Sequence, residues 1–176
     1  MLSDLKANMT TTTATKKPAR AATHVDAIKL LTDDHKEVHT LFQKYLKLAA
    51  RHSKDTNGDE REALADQICE MLTVHTTIEE EIFYPAARAA KVDDDLLDEA
   101  AVEHASCKDL IAQIRSMNAE DDLYDAKVTV LSEYIDHHVK EEQDELFPKC
   151  RKALMDLDLI GGQLSERKEA LMAVTA

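Results

Sequence analysis

Residues 134–148 read Tyr-Ile-Asp-His-His-Val-Lys-Glu-Glu-Gln-Asp-Glu-Leu-Phe-Pro. The run sets His138 and Glu142 four residues apart, and such positions share one face of an α-helix. An imidazole and a carboxylate one turn apart are able to grip a cation from one side. A second copy lies upstream, His75-Thr-Thr-Ile-Glu79-Glu-Glu-Ile-Phe-Tyr-Pro85. In both copies the His precedes the Glu by four residues and the Pro by ten, with an aromatic just before the Pro. Each copy also follows an earlier acidic-His pair, Asp34-His35 and Glu103-His104, by 40 and 34 residues respectively. The unit is His, then His-x-x-x-Glu, and it occurs twice.

Composition favours helices to carry this pattern. The chain has 176 residues, enough for one domain with a buried core, but only 3 Gly and 3 Pro and no Trp. Few turn residues remain for a many-stranded sheet, and with aromatics at 4% the core falls to Leu, Ile, Val, Ala and Met. A net charge of −13 argues against nucleic acid or an anionic membrane as a partner. Cys69, Cys107 and Cys150 are an odd number without recurring spacing, which suits free thiols rather than a disulfide framework. No apolar run approaches a membrane span and the N-terminus lacks the apolar stretch of a secretory signal. A soluble cytoplasmic protein is expected.

Residues 1–23, rich in Thr, Ala and Lys, read as a flexible tail; residues 24–155 form the bundle and 156–176 a C-terminal extension. Helix A is expected from about Val25 to Arg51, with Ile28, Leu31, His35, Val38, His39, Phe42 and Tyr45 inward. Residues 52–59 form a loop. Helix B, about Glu60 to Ala89, turns Leu64, Ile68, Leu72, His75, Glu79 and Phe83 inward, and Pro85 is expected to kink it or end its regular hydrogen bonding. Helix C, about Asp95 to Met117, brings in Leu97, His104, Ile111 and either Cys107 or Lys108. Helix D, about Leu123 to Phe147 and on through Leu154, carries Leu123, Ala126, Val130, Leu131, Tyr134, His138, Glu142 and Leu146. After Gly161-Gly162 a short helix, Gln163 to Val174, caps the bundle or mediates self-association. The expected fold is all-α: an up-down-up-down antiparallel four-helix bundle with a flexible N-terminal tail and a short C-terminal helix.

On such a bundle His35, His75, Glu79, His104, His138 and Glu142 all face the core. Singly, an inward His is an ordinary hydrogen-bonded core residue, and a Glu within Glu79-Glu80-Glu81 belongs to a solvated face. Jointly and in duplicate they need another reason, because a buried unpartnered carboxylate is costly. Two-fold pairing of the halves sets Glu79 and Glu142 where each is able to bridge two cations, His35 and His75 binding one and His104 and His138 the other. Imidazole and carboxylate without inward thiolates suit iron, with manganese or zinc as competitors.

These motifs, in this order over about Val25 to Leu154, resemble the hemerythrin-like (HHE cation-binding) domains. The resemblance implies a four-helix bundle holding two bridged iron ions that bind oxygen or related small molecules. Ferritin-like bundles instead use Glu-x-x-His pairs, which ranks ferroxidase chemistry lower. One departure concerns the third helix, where oxygen-carrying hemerythrins have His-x-x-x-His. Here His104 is followed at that spacing by Lys108, and the two-fold equivalent of Lys108 is His39. His39 is therefore a candidate fifth imidazole, with a core or outer-shell histidine as the alternative. Fewer imidazoles favour sensing or reduction of oxygen, peroxide or nitric oxide over reversible oxygen carriage.

Further expectations follow for neighbouring residues. Tyr134, one turn before His138, is a candidate to hydrogen-bond a ligand at the centre, with an ordinary core role as the alternative. His137 with Glu141 repeats the His138–Glu142 spacing and reads as outer-shell or solvent-facing. Cys107 is either a redox-sensitive thiol or a small buried hydrophobe, and Glu80, Glu81 and Glu145 are candidate acceptors for ligand imidazoles. The function expected is a di-iron protein binding or sensing oxygen, peroxide or nitric oxide. Alternatives are a di-iron enzyme consuming peroxide or nitric oxide, or an iron store or iron-responsive module. A monomer or weak dimer acting through an unnamed protein partner is expected.

Overall fold

The computed structural model describes residues 25–51 and 57–175; the expected N-terminal tail lies outside these. Every regular element among the described residues is helical. Helix α1 (Ala27–Ala49) opens on Asp26, whose side chain accepts the Lys29 N–H at 2.9 Å. Helix α2 (Gly58–Ile78) passes through a π-helical turn (Glu79–Phe83) into α3 (Tyr84–Ala89). Helix α4 (Asp94–Arg115) is capped by Asp93. Helix α5 (Tyr124–Glu141) repeats the pattern of α2, passing through a second π turn (Glu142–Leu146) into α6 (Phe147–Lys152). Helix α7 (Leu157–Thr175) completes the chain.

The two prolines explain the two π turns. In an unbroken α-helix Pro85 has no N–H to donate and its ring presses on the carbonyl one turn back. Widening the preceding turn relieves this: the Tyr84 N–H reaches back five residues to the Glu79 carbonyl. Phe147 does the same with Glu142 ahead of Pro148. The expected kink at Pro85 is thus a local change of helix type. Both short helices then stop at a left-handed residue, Lys91 (φ 56°) and Leu154 (φ 54°), each six residues beyond its proline. The sequence duplication is therefore matched by a backbone duplication.

Helix α1 packs on α2 and α5, and α4 packs on α5 and α2, so the four long helices close a ring. Two apolar clusters fill it. One gathers Val38, Phe42, Tyr45, Ile68, Leu72, Ile111, Val128, Leu131 and Ile135; the other gathers Leu31, Ile78, Phe83, Leu97, Leu146 and Phe147. The duplicated His and Glu residues lie between them along each helix, so the polar centre is sealed at both ends by apolar side chains.

Two expectations are corrected. On α5 the buried stripe is Tyr124, Val128, Leu131, Ile135 and His138, not Leu123, Ala126, Val130 and Tyr134. Stepping back from His138 by three or four residues reaches either Ile135 or Tyr134, and the branched apolar side chain takes the core. Helix α7 also begins before Gly161-Gly162 rather than after it. A β-carbon on Gly161 would lie 1.7 Å from the Val25 carbonyl oxygen, so this glycine allows close approach of α7 to the start of α1. Ile160 and Leu164 are buried there in the second cluster.

Candidate metal centre

Four imidazoles point inward in two pairs. His35 and His75 bring their Nε2 atoms to 3.0 Å, and His104 and His138 bring theirs to 3.1 Å. Glu79 and Glu142 lie between the pairs. Oε2 of Glu79 is 3.3 Å from His75 Nε2 and 3.5 Å from His104 Nε2. Oε2 of Glu142 is 3.3 Å from His35 Nε2 and 3.7 Å from His138 Nε2. Each carboxylate thus touches one imidazole of each pair, as a bridging group must. The donor atoms fall into two convergent groups that share Glu79: His35, His75, Glu79 and Glu142; and Glu79, His104 and His138.

A cation fits this arrangement better than an apolar core does. Both oxygens of Glu79 and Oε2 of Glu142 are buried without a hydrogen-bond donor. Leaving buried carboxylate oxygens unsatisfied costs several kcal/mol, so these oxygens call for a positive partner. Histidine nitrogen with carboxylate oxygen, and no thiolate among the convergent groups, is a donor set for iron, manganese or zinc.

Each imidazole is also held from outside through Nδ1. Asp34 meets His75 at 3.5 Å, Glu80 meets His104 at 3.0 Å and Glu103 meets His138 at 2.8 Å. The Gln143 side-chain amide lies 3.2 Å from Nδ1 of His35. On His75, His104 and His138 a carboxylate acceptor on Nδ1 keeps the proton there and leaves the Nε2 lone pair facing inward, which is how ligating histidines are oriented, whereas Nδ1 of His35 accepts from the Gln143 amide. The roles are duplicated. The acid before the first His of each half holds the second His of that half, and the residue after each Glu reaches the first His of the other half.

Charge is redistributed accordingly. Burial works to keep His75 neutral, but the Glu79 carboxylate and the hydrogen bond with Asp34 push it up to about 10. His138 is also raised, Glu142 and Glu103 outweighing burial. His104 goes the other way, lowered by burial despite the pull of Glu79 and with the help of the His138 charge. Burial opposes ionisation of Glu142, yet His138, His35 and His75 hold it down to about 2. Without metal the centre is a network of imidazolium and carboxylate; a bound cation takes the place of those protons.

The hemerythrin HHE cation-binding domain model matches residues 26–150, the span holding all six of these residues. The chain belongs to this family. A solved HHE-domain protein from Mycobacterium kansasii shares the fold, with a TM-score of 0.69 and 23% identity over 85% of this chain and 89% of that one. A curated relative from Nostoc sp., named a DNA nickase, is 26% identical over 121 residues. The match takes in 69% of this chain but only 32% of that protein, so it spans about a third of the relative's length.

Within this HHE domain the structure brings together His35, His75, Glu79, His104, His138 and Glu142 and leaves His39 out. The His39 side chain is 54% exposed and its Nδ1 lies 3.2 Å from Asp136, away from the cluster. On α1 the inner face continues from His35 through Val38, Leu41 and Phe42, so His39, one position past Val38, falls on the outer side. Its two-fold equivalent Lys108 is likewise outside, bound to Glu80. Tyr134 is 48% exposed and takes no part either. Cys107 is buried and burial pushes its thiol up to about 11, which makes it a small hydrophobe. Glu80 has the expected role as an imidazole acceptor, whereas Glu81 pairs with Arg167 and Glu145 with Lys149.

Sequence reasoning missed Tyr84. Its hydroxyl donates to Oε1 of Glu142 at 3.0 Å and lies 3.3 Å from Nε2 of His104. Burial, with the Glu142 and Glu79 carboxylates, raises its pKa well above the usual phenol range. The signal was available: the residue before each proline is Tyr84 in one half and Phe147 in the other. The Phe147 ring stacks on His35 with no hydroxyl to offer.

Proposed function

We propose that this HHE-domain protein is a non-haem di-iron protein that binds or senses oxygen, peroxide or nitric oxide. The observation that carries the reading is the set of three buried carboxylate oxygens without a donor, both of Glu79 and Oε2 of Glu142, between two imidazole pairs. His35 and His75 would hold one iron and His104 and His138 the other, with Glu79 and Glu142 spanning both. The four long helices are read as an up-down-up-down bundle around them. Bound there, two irons supply redox chemistry and open positions for a small ligand.

The protein's own residues set which ligand is admitted and how it is met. A narrow crevice lined by Glu103, Glu141 and the apolar Leu96, Ala100 and Leu146 also has His138 and Glu142 in its wall, which favours small ligands over organic substrates. The Tyr84 hydroxyl is the neutral donor inside the cluster and is placed to orient the Glu142 carboxylate. The test is metal content together with the near-ultraviolet and visible spectrum of anaerobically reduced protein before and after air. Two irons per chain and a new charge-transfer band on oxidation are expected. One zinc, or no metal with intact helicity, would sink the reading.

A further inference from the structure

Beyond the buried cluster, Glu103, His137 and Glu141 converge where α4 faces α5. His137 Nε2 lies 3.4 Å from Oε1 of Glu103 and 3.4 Å from Oε1 of Glu141. The His137 side chain is 62% exposed, whereas Glu103 and Glu141 are 20% and 30% exposed, so the group is open to solvent on one side only. Donor atoms around a cation with bonds of ~2.1 Å stand roughly 3.0–3.4 Å apart in octahedral or tetrahedral sites. Both His137–carboxylate distances fall at the upper end of that range, and all three donor atoms lie within 4.8 Å of one another.

The other half of the molecule indicates what Glu103 lacks. Its two-fold equivalent is Asp34, and both acids spend one oxygen on the Nδ1 of a core histidine. The second oxygen of Asp34 takes the Lys168 ammonium at 2.5 Å, delivered by α7. No lysine or arginine among the described residues pairs with Glu103 or Glu141; the second oxygen of Glu103 meets His137 instead. The equivalents of His137 and Glu141 are Val74 and Ile78, both buried. One half thus carries a built-in cation on its outer carboxylate, and the other carries three ligands.

Position gives this group a use. Glu103 and Glu141 line the same narrow crevice as the buried His138 and Glu142, while His137 stands outside it against both carboxylates. We propose that Glu103, His137 and Glu141 form a third, solvent-facing divalent-cation site, of the Fe²⁺ or Zn²⁺ class, that passes cations through this crevice to the buried pair. The delivery step rests on the di-iron reading; the outer site does not. One Glu103 carboxylate touches both ends of the route, through Oε1 to the outer site and through Oε2 to the ligand His138.

The experiment compares the full chain with H137A and E141Q, neither of which contributes a buried ligand. Each protein is dialysed against Zn²⁺ with excess Mg²⁺ and its metal counted, and protection of anaerobic Fe²⁺ from an added chelator is timed. The wild type is expected to hold three zinc ions and each variant two, with Fe²⁺ becoming protected several-fold more slowly in the variants. Equal counts in all three proteins, or equal rates of protection, would overturn the proposal while sparing the buried pair. A single ion in the wild type, lost in both variants, would keep the outer site and refute the buried pair as its destination.

Discussion

Tyr84 donates its hydroxyl to Oε1 of Glu142 at 3.0 Å, so the carboxylate that spans both imidazole pairs is oriented by a residue from the opposite half of the duplication. Phe147 occupies the equivalent position, which makes the centre chemically lopsided. Tyr84→Phe removes the donor without opening a cavity. A hydrogen bond to a charged acceptor contributes about 1.5–3 kcal/mol, and that loss is expected in urea unfolding of the chelated protein. On the proposed di-iron reading, metal stoichiometry should stay as in the wild type while the charge-transfer band of the oxidised protein shifts. An unshifted band would show that Tyr84 does not influence the metals.

Glu79 is fully buried and neither oxygen accepts a hydrogen bond, so its charge depends on a cation, the His75 imidazolium in the chelated protein or a metal in the loaded one. Glu79→Gln keeps the shape and removes the charge. Two effects follow. Chelated E79Q should lose the support that the carboxylate gives the His75 charge and melt below the chelated wild type at neutral pH, and it should hold at most one metal per chain. Wild-type stoichiometry in E79Q would remove Glu79 from the ligand set.

The protonation of the chelated centre sets a pH window. His75 is raised to about 10 from an ordinary value near 6.5, so its contribution is full below pH ~6.5 and is lost as pH rises through about 10. Glu142 is lowered to about 2 from 4.5, so its contribution is present above pH ~4.5 and is lost as pH falls through about 2. The melting temperature of the chelated protein should therefore peak between about pH 4.5 and 6.5 and fall towards pH 10. Metal reverses the alkaline limb, because binding releases the same protons and tightens as pH rises. Parallel melts of chelated and loaded protein should diverge above pH 7; parallel curves would show that the His75 proton and the metal do not compete.

The convergent cluster of imidazoles and carboxylates was legible, His39 apart, because its spacing survives a change of helix type: His75–Glu79 and His138–Glu142 are four apart, and each spans ordinary α-helix up to the start of its π turn. What lies beyond that point was not legible at a period of 3.6. Tyr84 is five residues after Glu79, which in an α-helix points to another face but in a five-residue π turn comes back to the same one. The stripe on α5 failed for a different reason. Tyr134 and Ile135 both lie one turn before His138, and only packing against the other helices separates them. Gly161-Gly162 looked like a helix stop because glycine is a poor helix former, whereas the requirement at Gly161 is proximity to Val25, a tertiary contact with no local signature.

Away from the candidate metal centre, Arg61 is buried at 2% exposure and its guanidinium meets both oxygens of Asp125 at 2.8 and 2.9 Å. Tyr45 donates to the same carboxylate at 2.6 Å, tying α1, α2 and α5 together at one end of the bundle. Asp125→Ala leaves a buried cation unpaired, which costs about 3 kcal/mol and more where water is excluded. The loss should appear in urea unfolding with metal content intact. Replacing Arg61 by Met as well should recover much of it, since a matched apolar pair carries no stranded charge. Failure of the double variant to recover would locate the penalty in the lost Tyr45 bond instead.

The two adjacent glycines of α7 should respond in opposite directions to the same substitution. At Gly162 an added β-carbon meets nothing within 4 Å, so Gly162→Ala gains helix propensity, about 1 kcal/mol. At Gly161 the new atom would meet backbone, the Val25 carbonyl at 1.7 Å and the Ala27 nitrogen at 2.8 Å, and neither is able to swing aside as a side chain would. Gly161→Ala must lift α7 from α1 and lower stability by at least about 1 kcal/mol despite the same propensity gain. Lifting α7 also withdraws Lys168 from Asp34 and so loosens the outer support of His75. G161A should therefore bind metal more weakly than G162A as well as unfold earlier. Equal metal affinity in the two variants would show that α7 braces the bundle without bracing the centre.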